Sequence, residues 1–197
     1  MTVSNQTFKK IEELGMALQG VKRVIIMSHN NPDPDGISCS IALQKILKDR
    51  FKIKSIVRYN GLIARAENRE MIRLLKIKIS LLKQSEIRKT DSFALVDCQP
   101  NTGNSILPKG VDPLIVIDHH PQRKTTKAKF CDIRPDYGGT ATILSEYMLA
   151  SGTELTTQIA TALCYGISSE TQHLGRGATP VDASIYSSLF STTKKKI

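Results

Sequence analysis

Short apolar runs separated by helical stretches constrain the fold of this chain more than any other feature. The runs Val24–Ser28, Phe93–Val96 and Leu114–Ile117 are nearly continuous in apolar residues and do not alternate with polar ones. Such runs are typical of strands that are buried on both faces. Segments of helical period lie between them, so the order of elements predicts an α/β fold with a mainly parallel sheet.

The remaining elements follow from hydrophobic period and from end signals, such as Thr179 as an N-cap ahead of Pro180. The pattern predicts further strands at Lys54–Tyr59 and, as an edge strand, Phe130–Ile133. It predicts helices at Thr7–Leu18, Ile37–Lys48, Ala64–Leu75, Thr140–Ala150, Leu155–Tyr165 and Pro180–Leu189. With 197 residues, the chain can bury a sizeable core without a disulfide or a structural metal.

The positive charge of the chain is concentrated in one segment. The formal net charge is +10, and the segment Lys45–Lys89 holds 14 of the 28 basic residues but only four acidic ones. A basic segment of this kind indicates either an anionic partner or a well-solvated helix face. We interpret it as, at most, a surface that steers a phosphorylated substrate, and we expect no long nucleic-acid scaffold.

The cysteines and the apolar runs bear on the compartment. Cys39, Cys98, Cys131 and Cys164 are widely spaced and form no CxxC pair, which favours free thiols in a reducing environment. No apolar run approaches the length of about 20 residues that a membrane span needs. The N-terminal residues are polar and do not resemble a signal peptide. The sequence therefore predicts a cytoplasmic protein without a membrane partner.

Three of the predicted strands are followed by ionisable residues. His29, Asp33 and Asp35 follow the first strand, Asp97 follows the second, and Asp118, His119 and His120 follow the third. Because ligands bind outside the carboxyl ends of parallel strands, these side chains are expected to meet at one edge of the sheet. A cluster of carboxylates and imidazoles repels itself unless cations are present. Two divalent ions would offset this repulsion. The donor set lacks thiolates, so it favours Mn²⁺, with Mg²⁺ as the alternative.

Four motifs resemble those of the DHH phosphoesterases, the superfamily that includes RecJ exonucleases and NrnA-like oligoribonucleases. They are the segment HNNPDPDG at 29–36, ALVDCQP around Asp97, the triplet DHH at 118–120, and YGISSET at 165–171. They occur in the family's order across about residues 20–190, and GGTATI at 138–143 is similar to a helix start of the NrnA-like branch. The resemblance implies a Rossmann-like sheet with helices on both faces.

The resemblance also implies metal-ligand roles. His29 and Asp33 would hold a first metal ion, Asp35 and His119 a second, and Asp97 would bridge both. Glu170 stands where the family has aspartate and would complete the second site. The side chain of Glu170 keeps the negative charge, but its extra methylene moves the carboxylate outward. Either Glu170 still binds the second metal ion, or the second metal site is weaker.

Three further residues are predicted to take part in catalysis. By resemblance, His120 is expected to contact the scissile phosphate or assist the leaving group. Asp118 is expected to orient a histidine, since metal-bound imidazoles usually donate their other N–H group to a carboxylate or a carbonyl. Arg176, in the segment LGRGAT, is a candidate phosphate clamp, with a solvent-facing loop arginine as the alternative.

The family resemblance predicts a catalytic DHH domain at residues 1–190, followed by a linker or tail at residues 191–197. NrnA-like relatives continue into a C-terminal substrate-binding domain with a glycine-rich loop, and this sequence contains no such loop. We therefore expect that domain to be absent, and either a homo-oligomer or a separate C-terminal domain to act as a partner.

The expected function is hydrolysis of phosphate esters of nucleotides or short oligonucleotides by a metal-activated water. The candidate substrates are short oligoribonucleotides, pAp and cyclic dinucleotides. Three alternatives remain open at this point. One is a pyrophosphatase or exopolyphosphatase, and another is a weakly active module that binds metal and nucleotide. The third is a nucleic-acid-binding protein that works through the surface of Lys45–Lys89.

Overall fold

The sheet of this protein has six parallel strands in the order β3-β2-β1-β4-β5-β6. A computed structural model describes residues 3–105, 107 and 110–194. The strands are β1 (Arg23–Met27), β2 (Lys54–Tyr59), β3 (Ser80–Leu81), β4 (Asp91–Val96), β5 (Ile115–Asp118) and β6 (Phe130–Ile133). The helices are α1 (Asn5–Ala17), α2 (Pro34–Asp49), α3 (Ala66–Leu74), α4 (Thr140–Ala150), α5 (Thr157–Glu170) and α6 (Pro180–Phe190). A short 3₁₀ turn covers Gln84–Glu86.

The predicted α/β class and its parallel sheet are confirmed, and the segment Phe130–Ile133 lies at the sheet edge as expected. Three elements differ most from prediction. The strand β3 has only two residues, which is too short for its pattern to be recognised in the sequence. The helix α2 begins at Pro34, three residues before the predicted start, with Asp33 as its N-cap. The predicted helix at Leu155–Tyr165 begins two residues later and continues to Glu170.

Alternate residues of each central strand enter different cores, which explains the continuous apolar runs. Val24 and Ile26 belong to the larger cluster, which also contains the buried side chains of the helices. Ile25 and Met27 belong to a smaller cluster on the opposite face, where residues of the connecting segments such as Leu82 pack against the strands. The two faces of the sheet are therefore covered unequally, and most helical packing is on one of them.

The helices α2 and α5 approach each other closely at Gly166. A Cβ atom at this glycine would lie 2.5 Å from Ser38 Oγ, 3.2 Å from Ala141 Cβ and 3.2 Å from the Pro34 carbonyl oxygen. Such distances leave no room for a side chain. This contact fixes the end of α5 against the beginning of α2.

A buried ionic cluster anchors α1 to the rest of the domain. Arg134 donates to both carboxylate oxygens of Asp132 and, over 2.7 Å, to Glu146 Oε2. The same Glu146 oxygen accepts the Thr7 hydroxyl of α1 over 2.6 Å. All four residues are buried, so each charge has the partners that burial demands. No pattern in the sequence pointed to this cluster.

Further predictions concern the cysteines, membrane spans and the tail. Every cysteine is a free thiol, as predicted, and Cys131 alone is half-buried while the others are buried. No helix in the described part of the chain is both long and apolar enough to cross a membrane. In the predicted tail, residues 191–194 follow α6, and the Lys194 N–H donates to Thr161 Oγ1. Residues 195–197 lie outside the described residues, so the boundary at 190 stays a prediction.

Candidate metal centre

The candidate site lies where the carboxyl ends of β1, β4 and β5 meet the first turns of α2 and α4 and the last turn of α5. A cleft of about 700 Å³ opens above it. Its lining includes Asp33, His119, His120, Glu170 and Arg176. The topology therefore brings together most of the side chains that were predicted from the sequence as separate motifs.

A first group of donor atoms comes from His29, Asp33 and Asp97. Each offers one ligand atom, and these atoms lie within 4.8 Å of one another. His29 Nε2 is 3.5 Å from Asp33 Oδ1 and 3.5 Å from Asp97 Oδ2. The other ring nitrogen of His29 lies 2.9 Å from the Asn30 carbonyl oxygen, which leaves Nε2 directed toward the two carboxylates.

A second group comes from Asp97, His119 and His120 under the same distance limit. His119 Nε2 is 3.7 Å from Asp97 Oδ1, and it is buried without a hydrogen-bond partner among the described residues. Its Nδ1 lies 3.2 Å from the Tyr137 carbonyl oxygen. A buried, unpartnered imidazole nitrogen beside a carboxylate is the donor that a divalent cation requires. The residues present therefore fit a metal centre, and Asp97 is common to both groups.

The Asp35 carboxylate lies fully buried behind these groups. Its Oδ2 accepts the Thr140 N–H over 2.8 Å, and its Oδ1 accepts the Ala141 N–H over 2.7 Å. Asp35 thus faces the N-terminus of α4, where the orphan N–H groups of a helix favour an anion. Each oxygen retains a second lone pair that is not used by these bonds.

Glu170 is the last residue of α5 and reaches the second group. Its Oε1 is 3.9 Å from His119 Nε2. A Cβ atom added at Gly139 would lie 3.3 Å from Asp35 Oδ2 and 3.7 Å from Glu170 Cβ. Both acidic side chains therefore lie close to this glycine. The carboxylate of Glu170 is therefore in a position to extend the second donor group.

The acidic groups of the site repel one another strongly in the absence of a cation. Burial raises the pKa of Asp35 well above its usual range, and the charges of Asp97, Asp33 and Glu170 raise it further. Burial and the charges of Asp97 and Asp33 also raise the pKa of Glu170. Burial would lower the pKa of His29, but Asp33 and Asp97 outweigh that effect and raise its pKa to about 11. Without metal, the site takes up protons in place of cations.

His120 is held by Asp118, which agrees with the predicted orienting role. Asp118 Oδ1 lies 2.9 Å from His120 Nδ1, and this hydrogen bond raises the pKa of His120 against the effect of its burial. The other oxygen of Asp118 accepts the Gln99 side-chain N–H over 2.7 Å. Burial would raise the pKa of Asp118, yet the bonds from His120 and Gln99 lower it. Asp118 therefore remains an anion behind His120.

The backbone at Asp97 takes an uncommon conformation for a residue with a side chain. Its φ is +59°, in the left-handed region, and its N–H donates to the Ile117 carbonyl oxygen over 2.9 Å. Thr140 Oγ1 donates to Asp97 Oδ1 over 2.9 Å. Left-handed residues are common at functional sites because the surrounding structure maintains the strain. Here the strain directs Asp97 between the two histidines.

Arg176 lines the cleft on a loop that begins with three consecutive left-handed residues, Gln172, His173 and Leu174. The Arg176 N–H donates to the Thr171 carbonyl oxygen over 2.9 Å, which fixes the backbone of the loop. Within the described residues its guanidinium has no hydrogen bond or ion pair. His173 is exposed, and its Nδ1 lies 2.7 Å from Ser168 Oγ.

Four residues of the site were not singled out from the sequence. Thr140 and Gln99 position Asp97 and Asp118; they lie inside the segments GGTATI and ALVDCQP, but the sequence assigned neither of them a role in the site. Arg65 and Asn68, at the beginning of α3, line the same cleft as Arg176. Asn68 is buried, and its Oδ1 has no hydrogen-bond partner among the described residues. Arg65 lies inside the basic segment and was treated there only as part of a charge count.

Comparison with known proteins supports the assignment of the fold. An uncharacterized protein of Methanocaldococcus jannaschii is 36% identical over 159 residues, which covers 81% of this chain but 32% of the relative. An exopolyphosphatase-related protein of Bacteroides fragilis has a TM-score of 0.69 at 16% identity, covering 93% of this chain and 56% of the other.

A second solved structure, of a Methanococcus jannaschii protein assigned to the family II inorganic pyrophosphatases, has a TM-score of 0.64 at 22% identity. The match covers 86% of this chain and 56% of that one. Exonuclease RecJ bound to manganese has a TM-score of 0.54 at 15% identity, covering 97% of this chain and 48% of that one. At these identities the likeness shows a shared fold.

The family assignment rests on a direct match. The sequence model of the DHH family, N-terminal domain, matches residues 23–167, which include the first three motifs and most of α5. The chain spans about a third of the length of its curated relative, so the DHH domain is one part of that longer protein. This protein belongs to the DHH family and contains its N-terminal domain.

Proposed function

We propose that this protein is a metal-dependent phosphoesterase that hydrolyses phosphate esters of nucleotides or short oligonucleotides, acting in the cytoplasm. One observation carries the proposal: two groups of donor atoms, one with His29 and one with His119, share the carboxylate of Asp97. A carboxylate shared between two donor groups suits a pair of divalent ions. The family membership supports the hydrolase class.

The residues assigned to the two ions are those predicted from the motifs. His29 and Asp33 would hold one ion, His119 with Asp35 and Glu170 the other, and Asp97 would contact both. Mn²⁺ suits this mixture of imidazoles and carboxylates, and Mg²⁺ is the alternative. When bound, such a pair lowers the pKa of a water molecule and stabilises the charge of an in-line displacement.

The protein side chains would act on the phosphate group itself. His120, whose pKa is raised by the hydrogen bond it makes with Asp118, can donate a proton or a hydrogen bond to an oxygen of the substrate. Arg176 and Arg65 line the same cleft, and an arginine fork matches two phosphate oxygens at once. The cleft therefore offers cationic donors around the position where negative charge accumulates in the transition state.

The second candidate function is that of a pyrophosphatase or exopolyphosphatase. Apart from the two histidines, Tyr137 is the one aromatic residue among the described residues that line the cleft. Its hydroxyl is already within hydrogen-bond distance of Arg134 and Glu146. A cleft with few free aromatic faces for a base favours substrates that consist of phosphate groups. Two of the fold neighbours carry names of this class.

The deciding experiment is a hydrolysis panel with Mn²⁺ that contains dinucleotides, pAp, cyclic di-AMP, pyrophosphate and polyphosphate. We expect turnover of a nucleotide ester that is lost in Asp97→Ala and kept in the matched control Glu12→Gln, an exposed acid on α1. Turnover of the two inorganic substrates alone would support the second function. Mn²⁺ binding without turnover of any substrate would leave a metal-binding module and contradict both functions for this chain.

A further inference from the structure

A second large groove lies far from the metal centre, at the amino ends of the strands. It has a volume of about 1310 Å³ and wraps around the first residues of β2. The strand β3 pairs with Arg58 and Tyr59 alone, so the outer edge of β2 carries no strand at Lys54–Val57 in the described structure. The groove thus follows an open part of the sheet edge.

The rim of this groove is strongly basic. Nine of its lining residues are lysine or arginine, and two are acidic. Eight of the nine come from the basic segment Lys45–Lys89, and the ninth is Arg23. Folding therefore gathers residues from β1, α2, β2 and three connecting segments into one positively charged surface.

Five of these cations form no side-chain hydrogen bond or ion pair within the described residues, although the charge of Lys48 acts on the nearby Asp49. Arg23, Lys45, Lys52 and Arg58 form ion pairs or hydrogen bonds with neighbouring groups. The side chains without a hydrogen bond or an ion pair are those of Lys48, Lys54, Lys76, Lys78 and Arg88. All five are exposed, so their charge is available to a ligand.

The floor of the groove is aliphatic. Ile53, Ile56 and Ile77 contribute to it, and no aromatic residue is found among its described lining residues. Proteins that bind single strands without sequence preference stack the bases on aromatic side chains, and this surface has none among its described residues. It can contact the sugar rings of a strand while the lysines contact the phosphates.

The groove is separate from the metal centre. Lys48 lies 13 residues after Asp35 on the same helix, which corresponds to about 20 Å along α2 at the helical rise. This distance exceeds the Debye length of roughly 8 Å at physiological salt. The charge of this groove therefore has little direct influence on a substrate in the cleft, and within the basic segment it is Arg65 that lines the cleft.

We propose that this groove binds the sugar–phosphate backbone of a nucleic acid without reading its bases. Exposed lysines gain little from isolated carboxylates, because water and salt screen surface ion pairs. A nucleic acid differs because its dense charge condenses counterions, and their release drives binding. The aliphatic floor distinguishes a strand with sugar rings from a bare polyphosphate chain.

The test is fluorescence anisotropy with a labelled 20-nucleotide poly(U) RNA and the corresponding oligo(dT), in EDTA so that neither probe is cleaved. With five phosphate contacts, the slope of log K against log salt is expected near −3.5, from about −0.7 per contact on a single strand. The triple variant Lys48→Gln, Lys54→Gln, Lys78→Gln removes three contacts. Its slope should fall to about −1.4 and its affinity by about a hundredfold at 0.1 M salt.

The matched control replaces Lys9, Lys124 and Lys127, which are exposed and lie outside the groove, with glutamine. It carries the same net charge as the triple variant and should bind as the unchanged protein does. Equal losses in both triple variants would mean a general charge effect and overturn the groove as the site. Loss of binding in Asp97→Asn, with the groove intact, would place the nucleic acid in the metal cleft instead.

Two competitors test the identity of the ligand. Polyphosphate with the same number of charges as the RNA should bind more weakly, because it lacks sugar rings to contact the aliphatic floor. Polyglutamate of the same charge should bind more weakly still. If either binds as tightly as the RNA, the assignment to nucleic acid is wrong.

Discussion

The carboxylate of Asp35 caps the helix α4, since its Oδ2 accepts the backbone N–H of Thr140 over 2.8 Å. This contact joins the first and the last thirds of the sequence at the centre of the site. It also gives Asp35 a structural role in addition to its proposed role as a metal ligand. The two neighbouring aspartates of the first motif should therefore respond differently to the same substitution.

Asp35→Asn is expected to destabilise the metal-free protein by about 1–3 kcal/mol, because an amide group cannot accept both the Thr140 and the Ala141 N–H groups. Asp33→Asn is the comparison variant. It keeps the cap of α2, since asparagine accepts the Gly36 N–H equally well, and it loses only the contact of the half-buried Asp33 with His29. Denaturant unfolding in EDTA measures both. Equal stability of the two variants would contradict the capping role of Asp35.

Glu170→Gln should weaken Mn²⁺ binding by about tenfold or more, because it removes a charged oxygen donor beside His119. Glu170→Asp, which restores the residue type of the family, should retain binding. Isothermal titration with Mn²⁺ measures the affinities, and Glu154→Gln serves as the control because its side chain is 78% exposed. Unchanged affinity in Glu170→Gln would remove this residue from the ligand set.

The metal-free protein should lose stability as the pH rises from about 6.5 toward about 11. His29 has an ordinary pKa of 6.5 when unfolded and a pKa of about 11 when folded. Its extra proton stabilises the folded state below pH 6.5, and this contribution is lost as the pH rises through 11.

Thermal unfolding in EDTA between pH 6 and pH 10 tests this expectation. His29→Gln should show a smaller fall of Tm over the range than the unchanged protein. His173→Gln, which replaces an exposed histidine, should keep the full fall. A pH dependence that is the same in both variants would argue against a proton held by His29.

Asp118→Asn should lower the pKa of His120, because the largest influence that raises this pKa is the hydrogen bond from Asp118. The histidine resonances in an NMR titration report the change directly and do not depend on catalysis. His29 should keep its raised pKa in the same variant. An unchanged His120 titration would show that Asp118 only supports the fold.

Asp182→Ala should cost about 3 kcal/mol of unfolding free energy. This buried carboxylate accepts the Gly138 N–H over 2.9 Å and the Thr179 N–H over 2.7 Å, and it also accepts the Thr142 hydroxyl over 2.5 Å. Removing it leaves several buried donors without a partner. Asp112→Ala, at an exposed acid, should change stability by no more than about 0.5 kcal/mol.

The parts of the fold that were predictable are those whose signal is local. The runs around Val24, Phe93 and Ile115 showed strands buried on both faces, and the acidic residues after them marked the edge of the sheet. Helix starts such as Pro180 could be recognised from their caps. The meeting of Asp97 with His29 and His119 followed from parallel topology and needed no contact information.

The features that escaped prediction depend on contacts between distant segments. Thr140 reaches Asp97 across 43 residues of sequence, and Arg134 joins Thr7 across 127. The charge of Lys48 and Lys78 was visible, but the groove that they form exists only because the end of α2, the beginning of β2 and the segment after α3 lie side by side. Composition shows how much charge a chain carries, whereas the fold decides where that charge acts.

The close approach of α2 and α5 at Gly166 has a consequence for the spacing of the proposed ions. Asp33 precedes α2 and Glu170 ends α5, and the two are proposed ligands of different ions. A methyl group added at Gly166, one helical turn from Glu170, would press on the Pro34 carbonyl oxygen and push the two helices apart. The separation of the two proposed metal sites is thus expected to depend on a contact that contains no ligand.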